Sequence, residues 1–417
     1  MSLFQKSVLN KYYNELSISE IQDSFKRFQS VFNNPAKQEN ILNAKEEQYQ
    51  EGFLRELFVN ILGYRLYPDE NHNLITEQKN EGNSKKADGA ILNGLVVTAV
   101  IELKSTKTID LANIESQAFG YKNNQQECKY VITSNFKKLR FYIDNAVEFL
   151  EFDLFNLAFE DFKLMWVCLS ANYLLKNIPA QIKEASNHQE EKITKQLYSD
   201  YAKFRNELFN DICIKNTDHD KLFLFKKTQK LLDRFLFLFF AEDRGLVAPN
   251  WTRKILQDWT DLKDRYDNYI PLYTRFRKNF DYLNTGYHGK DGEIFAYNGG
   301  LFAPDEVLDS LIIEDDLLYK GSLKLSNYDF DSEVDVNILG HIFEHSLNEI
   351  DEIQASLEEV KVEKVTKRKK DGVFYTPKYI TKYIVENTIG TLCKDEKVKL
   401  QLIEEDFEFI DAKQVKN

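Results

Sequence analysis

Two acidic residues and a lysine stand at a spacing that suits hydrolytic chemistry. Asp88 sits in KADGAIL, and fourteen residues later IELK brings Glu102, Leu103 and Lys104. Both stretches read as strands. Residues i and i+2 of a strand share a face, so Glu102 and Lys104 project together while Leu103 enters the core. Asn93-Gly94 predicts a tight hairpin turn that folds Asp88 back beside them. Two unpaired carboxylates ~4–5 Å apart repel by roughly 3–4 kcal/mol at an effective dielectric of ~20. A hard divalent cation removes that repulsion, and oxygen ligands with retained waters suit Mg²⁺ or Mn²⁺. Such an ion polarises a phosphate oxygen and lowers the pKa of a water bound to it. Lys104 would orient the attacking water and offset charge on the phosphate, so the set suits phosphodiester hydrolysis. Spacing alone also describes an ordinary ion pair on a hairpin. The surrounding elements decide between the two.

Residues 1 to about 45 read as helices, with Leu3, Phe4, Val8 and Leu9 at helical spacing and turn residues at Asn33-Asn34-Pro35. Glu46 to Tyr64 is a stronger amphipathic helix, with Phe53, Leu54, Leu57, Phe58, Ile61 and Leu62 as its buried stripe and Gly63 as its stop. Glu51 stands three residues before Leu54 and seven before Phe58, which places it on the same inward face. The period then changes: HNLITEQKN, KADGAILNG and LVVTAVIELKS predict three strands. A helix from Ile109 to about Asn124 follows, and then two strands, CKYVITSNF and LRFYID. That order predicts an α/β unit ending near residue 155. Residues 156–360 read as mainly helical, with a loop-rich, glycine-bearing interlude at GYHGKDGEIFAYNGGLFAPDE. A basic stretch, KVEKVTKRKKDG, precedes a new helix with Thr376 as N-cap and Pro377 at its first position. The expected domains are 1–155, 156–360 and 361–417.

Composition narrows the classes. The 417 residues are long enough for two or three domains, and 43% hydrophobic with 29% charged residues excludes wholesale disorder. The formal net charge of −12 excludes a generally basic nucleic-acid coat, so any DNA contact must be a local patch. Cys128, Cys168, Cys213 and Cys393 are isolated from one another, which indicates neither a zinc cluster nor a disulfide framework and fits a reducing, cytoplasmic setting. The opening turns polar too early for a signal peptide, and the apolar run Phe235 to Ala241 is far shorter than the ~20 residues of a membrane span. A soluble protein is expected.

Three other motifs weigh less. His341, Glu344 and His345 match HxxEH formally, but the pattern is short and a packed or capping histidine is the usual outcome in a buried helix. Asn298 to Phe302 has two glycines without a following lysine-bearing helix, so it is no nucleotide loop. Lys364, Lys367, Arg368, Lys369 and Lys370 suit a solvated linker better than a phosphate contact.

The Asp88, Glu102 and Lys104 set in this order of elements resembles the PD-(D/E)xK nuclease fold of restriction endonucleases. Ala87 stands where the motif's proline would be, and the literal Pro68-Asp69-Glu70 is a decoy. Gln117 and Tyr121, four apart on one helical face, resemble the QxxxY element that follows the ExK strand in many such nucleases. GVFYTPKYITKYIV resembles the opening of the amino-methyltransferase domain in single-chain type IIG restriction–modification enzymes. FFAEDRGL, NGGLF and ILGHIFEHSL look like the helical connector of those enzymes, in the family's order.

The resemblance implies a restriction-endonuclease-like mixed sheet flanked by helices, then a mainly α-helical domain, then the start of a methyltransferase domain. It implies Asp88 and Glu102 as metal ligands, with the Leu103 carbonyl as a further ligand and Glu51 as the first-helix acid near the metal. It gives Lys104 the water, and gives Gln117 and Tyr121 the DNA backbone. Phe374, Tyr375, Thr376 and Pro377 would be remnants of an S-adenosylmethionine site, a cofactor expected only in a full-length relative. The glycine-rich cofactor motif and the NPPY-type motif are absent from this sequence, so the chain is expected to cut double-stranded DNA and not to methylate it. A methyltransferase or specificity region is the expected partner, and a membrane is not. Two alternatives stay open: an inactive DNA-binding or scaffold module, and a platform subunit of a DNA methyltransferase.

Overall fold

The computed structural model describes residues 3–79, 86–125, 127–289, 292–297, 299–334, 338, 340, 342, 376 and 378–400. The chain divides into two units, Met1–Lys195 and Gln196–Asn417.

The first unit is built on a six-stranded sheet in sequential order, β1 (Leu74–Lys79), β2 (Lys86–Asn93), β3 (Val96–Leu103), β4 (Tyr130–Ser134), β5 (Lys138–Ile143) and β6 (Phe149–Asp153). All neighbours are antiparallel except β3 and β4, which run parallel. Parallel neighbours need a crossover, and α5 (Ala112–Asn123) supplies it. Alternation along the strands sorts side chains to two covered faces. Ala99, Ile101, Leu103, Ile132 and Phe141 join a large core with Phe28, Phe53, Phe58 and Trp166. Val100, Val131 and Tyr142 face the other way, onto Ala118 and Tyr121 of α5. Burial on both faces is why β3 reads as an almost unbroken apolar run, and why a charge within it is conspicuous.

Helices α1 (Lys6–Tyr13), α2 (Ile18–Phe32), α3 (Pro35–Asn43) and α4 (Glu46–Phe53) precede the sheet. Asn34 caps α3 by accepting the N–H groups of Ala36 and Lys37, with Pro35 at the first helical position. The expected long helix from Glu46 changes character midway, since Leu54–Ile61 is π-helical. After β6, α6 (Phe159–Leu169) and α7 (Ala171–Leu174) return to the large core through Phe162, Met165, Trp166 and Leu174. For that reason the unit extends past the expected boundary near 155.

The second unit is mainly helical, as its Leu/Phe stripes predict. α8 (Ile178–Lys215) runs across the division, followed by α9 (Lys221–Asp243), α10 (Trp251–Tyr266), α11 (Leu272–Thr285), α12 (Glu306–Ser310) and α13 (Asp315–Leu325). The apolar run in α9 is core, with Phe235, Leu236, Leu238, Phe239 and Ala241 buried. The glycine-bearing interlude holds a short hairpin, β7 (Tyr287–Gly289) and β8 (Gly292–Ile294). The connector-like motifs have structural work here. Glu242 of FFAEDRGL accepts from the Thr252 N–H at 3.1 Å and its hydroxyl at 3.0 Å, securing the start of α10. Buried Arg234 donates to the carbonyls of Leu301 at 2.8 Å and Ala303 at 3.0 Å, which fixes the NGGLF loop. Helices over Lys378–Asn387 and Ile389–Lys399 complete the described chain. Among the described residues no helix is long and apolar enough to cross a membrane.

Candidate active site

The β2–β3 hairpin sets the site. Gly89 pairs with Ile101 and Ala90 with Val100, a register that puts Asp88 directly across from Glu102 on the same face. The turn lies one residue later than Asn93-Gly94 suggests. Asn93 itself pairs with Val96, leaving Gly94 and Leu95 as the loop, with Gly94 at φ +64°. Positive φ at the first central residue alone is the type II′ requirement, and glycine meets it without strain. A register shift between Ile91 and Leu92 then brings the carboxylates level. Without that irregularity Asp88 would face Ile101, because a one-residue slip exchanges the faces.

Three backbone and side-chain contacts hold the acids in place. The Asp88 Oδ2 accepts the Leu103 N–H at 2.7 Å. Glu102 is 1% exposed, and its Oε1 accepts from Lys104 Nζ at 2.8 Å and Gln117 Nε2 at 2.6 Å. Lys104 follows β3, but its N–H still donates to the Ser134 carbonyl at 2.9 Å, so its backbone is anchored to β4. Its ammonium also donates to Glu46 Oε1 at 3.2 Å and the Leu103 carbonyl at 2.9 Å. Gln117 donates to the hydroxyl of buried Tyr121 at 3.0 Å, although Gln117 itself lies on the exposed side of α5. The five residues singled out by spacing, Asp88, Glu102, Lys104, Gln117 and Tyr121, thus form one connected group.

The electrostatics are those of a crowded acid cluster. Burial, then the neighbouring Asp88, push the Glu102 carboxyl up to about 7, against the pull of Lys104. Burial also raises Asp88, with Glu46 adding to it, while the Leu103 N–H, Lys104 and the Gln50 amide act the other way. Burial lowers the Lys104 ammonium, but the Glu102 hydrogen bond and the charges of Glu102, Asp88 and Glu46 outweigh it and hold it above its ordinary range. The second oxygen of Glu102, Oε2, is buried with no hydrogen-bond partner. A buried carboxylate oxygen without a donor is costly. Among the described residues no group of three or more His, Cys, Asp or Glu side chains is placed to hold a metal ion. The oxygen donors that could hold a divalent cation here are the carboxylates of Asp88 and Glu102 and the Leu103 carbonyl.

One expected ligand is misplaced. Glu51 is exposed and pairs with Arg55, Nε–Oε1 2.9 Å, away from the cluster. The acid that α4 supplies is Glu46, and Gln50 reaches Asp88 from the same face. Spacing from Leu54 and Phe58 puts Glu51 inward only if the helix is α throughout, but those residues are π-helical, with the Leu62 N–H bonded to the Leu57 carbonyl. A wider turn makes α-spacing misleading across the junction. The i,i+4 pair Glu46 and Gln50 was the available signal in EEQYQ. Pro68, Asp69 and Glu70 lie exposed ahead of β1. Thr376 is exposed, while Phe374, Tyr375, Pro377, the HxxEH residues His341, Glu344 and His345, and the basic run from Lys364 to Lys370 lie outside the described residues.

No protein-family model matches the chain. It is 26% identical over 283 residues to a Methanocaldococcus jannaschii protein that carries the name of a type II restriction enzyme and methyltransferase. That match covers 57% of this chain and only 22% of the relative. Among solved structures, the cryo-EM structure of a DrdV–DNA complex aligns at a TM-score of 0.25 and 15% identity, over 91% of this chain and 32% of that one. A likeness that loose carries no weight for the fold, so the sequence relative is the finding that bears on family: this chain is similar to part of a restriction–modification protein.

Proposed function

We propose that this chain is the DNA-cleaving portion of a type IIG-like restriction–modification protein, a Mg²⁺- or Mn²⁺-dependent endonuclease hydrolysing phosphodiester bonds in double-stranded DNA. The observation that carries the reading is the buried, unpartnered Oε2 of Glu102 beside Asp88, within a cluster where three acids face one ammonium. With all four groups ionised the cluster carries −2, the complement of a divalent cation. The six-stranded sheet with its parallel β3–β4 pair and crossover helix is read as restriction-endonuclease-like. The relative's name supports the restriction–modification setting.

Each residue then has a task. Asp88, Glu102 and the Leu103 carbonyl would hold the cation, which supplies positive charge to a phosphate oxygen when bound. Lys104 presents its ammonium to the same phosphate, with Glu102 and Glu46 fixing its position. Gln117 orients the Glu102 carboxylate, and Tyr121 keeps the Gln117 amide turned toward it. Gln117 sits on the exposed side of α5, where a DNA backbone would approach the cluster.

Nicking of supercoiled plasmid by the purified chain tests the reading. Activity should require Mg²⁺ or Mn²⁺, fall by at least about a hundredfold, near 2.7 kcal/mol, in Glu102→Ala and Lys104→Ala, and survive Glu51→Ala. Equal activity in the wild type and the two site variants removes the assignment.

A further inference from the structure

A cleft in the second unit, separate from the acid cluster, joins cations to flat aromatic rings. It has a volume of about 230 Å³ and lies along α10 and α11. Lys254, Arg275 and Lys278 line it with a single carboxylate, Asp258, in a chain whose net charge is −12. A local cationic excess inside an acidic whole needs an anion to balance it.

Two details point to a ligand. The Nε–H of Arg275 is buried without a hydrogen-bond partner, and the Arg275 guanidinium meets Asp258 only at 3.9 Å. With so loose a tie to Asp258, the guanidinium keeps most of its donors for an anion entering the cleft. Beside it, Trp251 is pinned by its indole N–H, which donates to Asn279 Oδ1 at 2.8 Å. Tyr282 and Tyr287 form a stacked pair with ring centroids 4.1 Å apart. A guanidinium is shaped to bind phosphate oxygens, and fixed aromatic rings stack on bases of any sequence. The volume is below the ~300–1,000 Å³ of ordinary small-molecule pockets, so it suits one nucleotide unit and not a larger cofactor.

We propose that this cleft binds a nucleoside phosphate, with Arg275 and Lys278 on the phosphate and the Trp251 or tyrosine rings against the base. The site does not depend on the nuclease reading, since none of its residues belongs to that cluster. Calorimetric titration of the full chain with adenosine 5′-monophosphate, adenosine, inorganic phosphate and a deoxyadenosine trinucleotide tests it. The monophosphate should bind about tenfold or more tighter than adenosine, and inorganic phosphate should compete with it. Arg275→Gln, and Lys278→Glu at an exposed position, should each weaken binding about tenfold with unchanged thermal unfolding. Tighter binding of the trinucleotide identifies a strand as the source, and equal binding a free nucleotide. Failure of the monophosphate to bind at millimolar concentration, or binding indifferent to both the phosphate and the two substitutions, overturns the proposal.

Discussion

At the scale of single residues, Glu102 holds the site together and also strains it. One of its oxygens accepts from Lys104 and Gln117 while the other has no partner, and its carboxyl is pushed up to about 7 by burial and by Asp88. Such crowding weakens the metal-free fold. Asp88→Asn keeps a carbonyl for the Leu103 N–H while removing one charge, so without metal it should raise stability by about 1 kcal/mol, roughly 2–4 °C in a unit of this size. It should also abolish the stabilisation expected from Mg²⁺ in the wild type. Scanning fluorimetry in chelator and in Mg²⁺ measures both, and a lower metal-free melting temperature in the variant contradicts carboxylate crowding. Asp88, Glu102 and Lys104 were legible because strand alternation leaves little freedom for i and i+2. Glu46 was only partly legible: its i,i+4 spacing to Gln50 marks a shared polar face, but its contact with Lys104 depends on how far a lysine side chain reaches between elements that sequence does not place.

At the scale of elements, the helix–strand order of the first unit was legible, and the misses have physical causes. β6 carries little strand signal because FLEFD is a short edge strand, with Phe152 its one buried side chain. Asn-Gly usually fills both central positions of such a turn, whereas here Gly94 takes the first and Leu95 the second. The first unit's core runs on past residue 155 into α6, since nothing local tells a helix that opens a new domain from one that packs on the preceding core. The phase of α4 gives a direct comparison. Glu46→Gln removes one of the charges that hold Lys104 and adjoin Asp88, and should weaken divalent-cation affinity about tenfold, near 1.4 kcal/mol. Glu51→Gln touches only the exposed Arg55 pair and should change affinity by less than about twofold. Calorimetric titration distinguishes them, and the reverse ranking would restore the α-helical phase.

At the scale of the whole molecule, acidic pressure is not confined to the site. In the second unit burial pushes the Asp233 carboxyl up to about 6 from 3.8, against its hydrogen bond from Gln229. Its stabilising contribution is present in full below about pH 3.8 and is lost as the pH rises through about 6. Asp233→Asn keeps an acceptor for Gln229, so it should stabilise the chain at pH 7.5 by up to about 3 kcal/mol and scarcely at pH 4. Melting temperatures at the two pH values measure this, and a gain independent of pH would refute it. The connector-like motifs were legible as sequence, but the tasks of Glu242 and Arg234, holding a helix start and a loop, emerge only when distant segments meet. Length and charge placed the protein among folded, acidic chains, and the similarity to part of a restriction–modification protein is consistent with that class. One ion per chain is expected at the β2–β3 hairpin, and Mn²⁺ binding counted by electron paramagnetic resonance on the full chain tests this without relying on turnover. One tight site in the wild type and in Glu51→Gln, lost in Glu102→Gln, is the expected result; Mn²⁺ binding that is unchanged in Glu102→Gln contradicts the account.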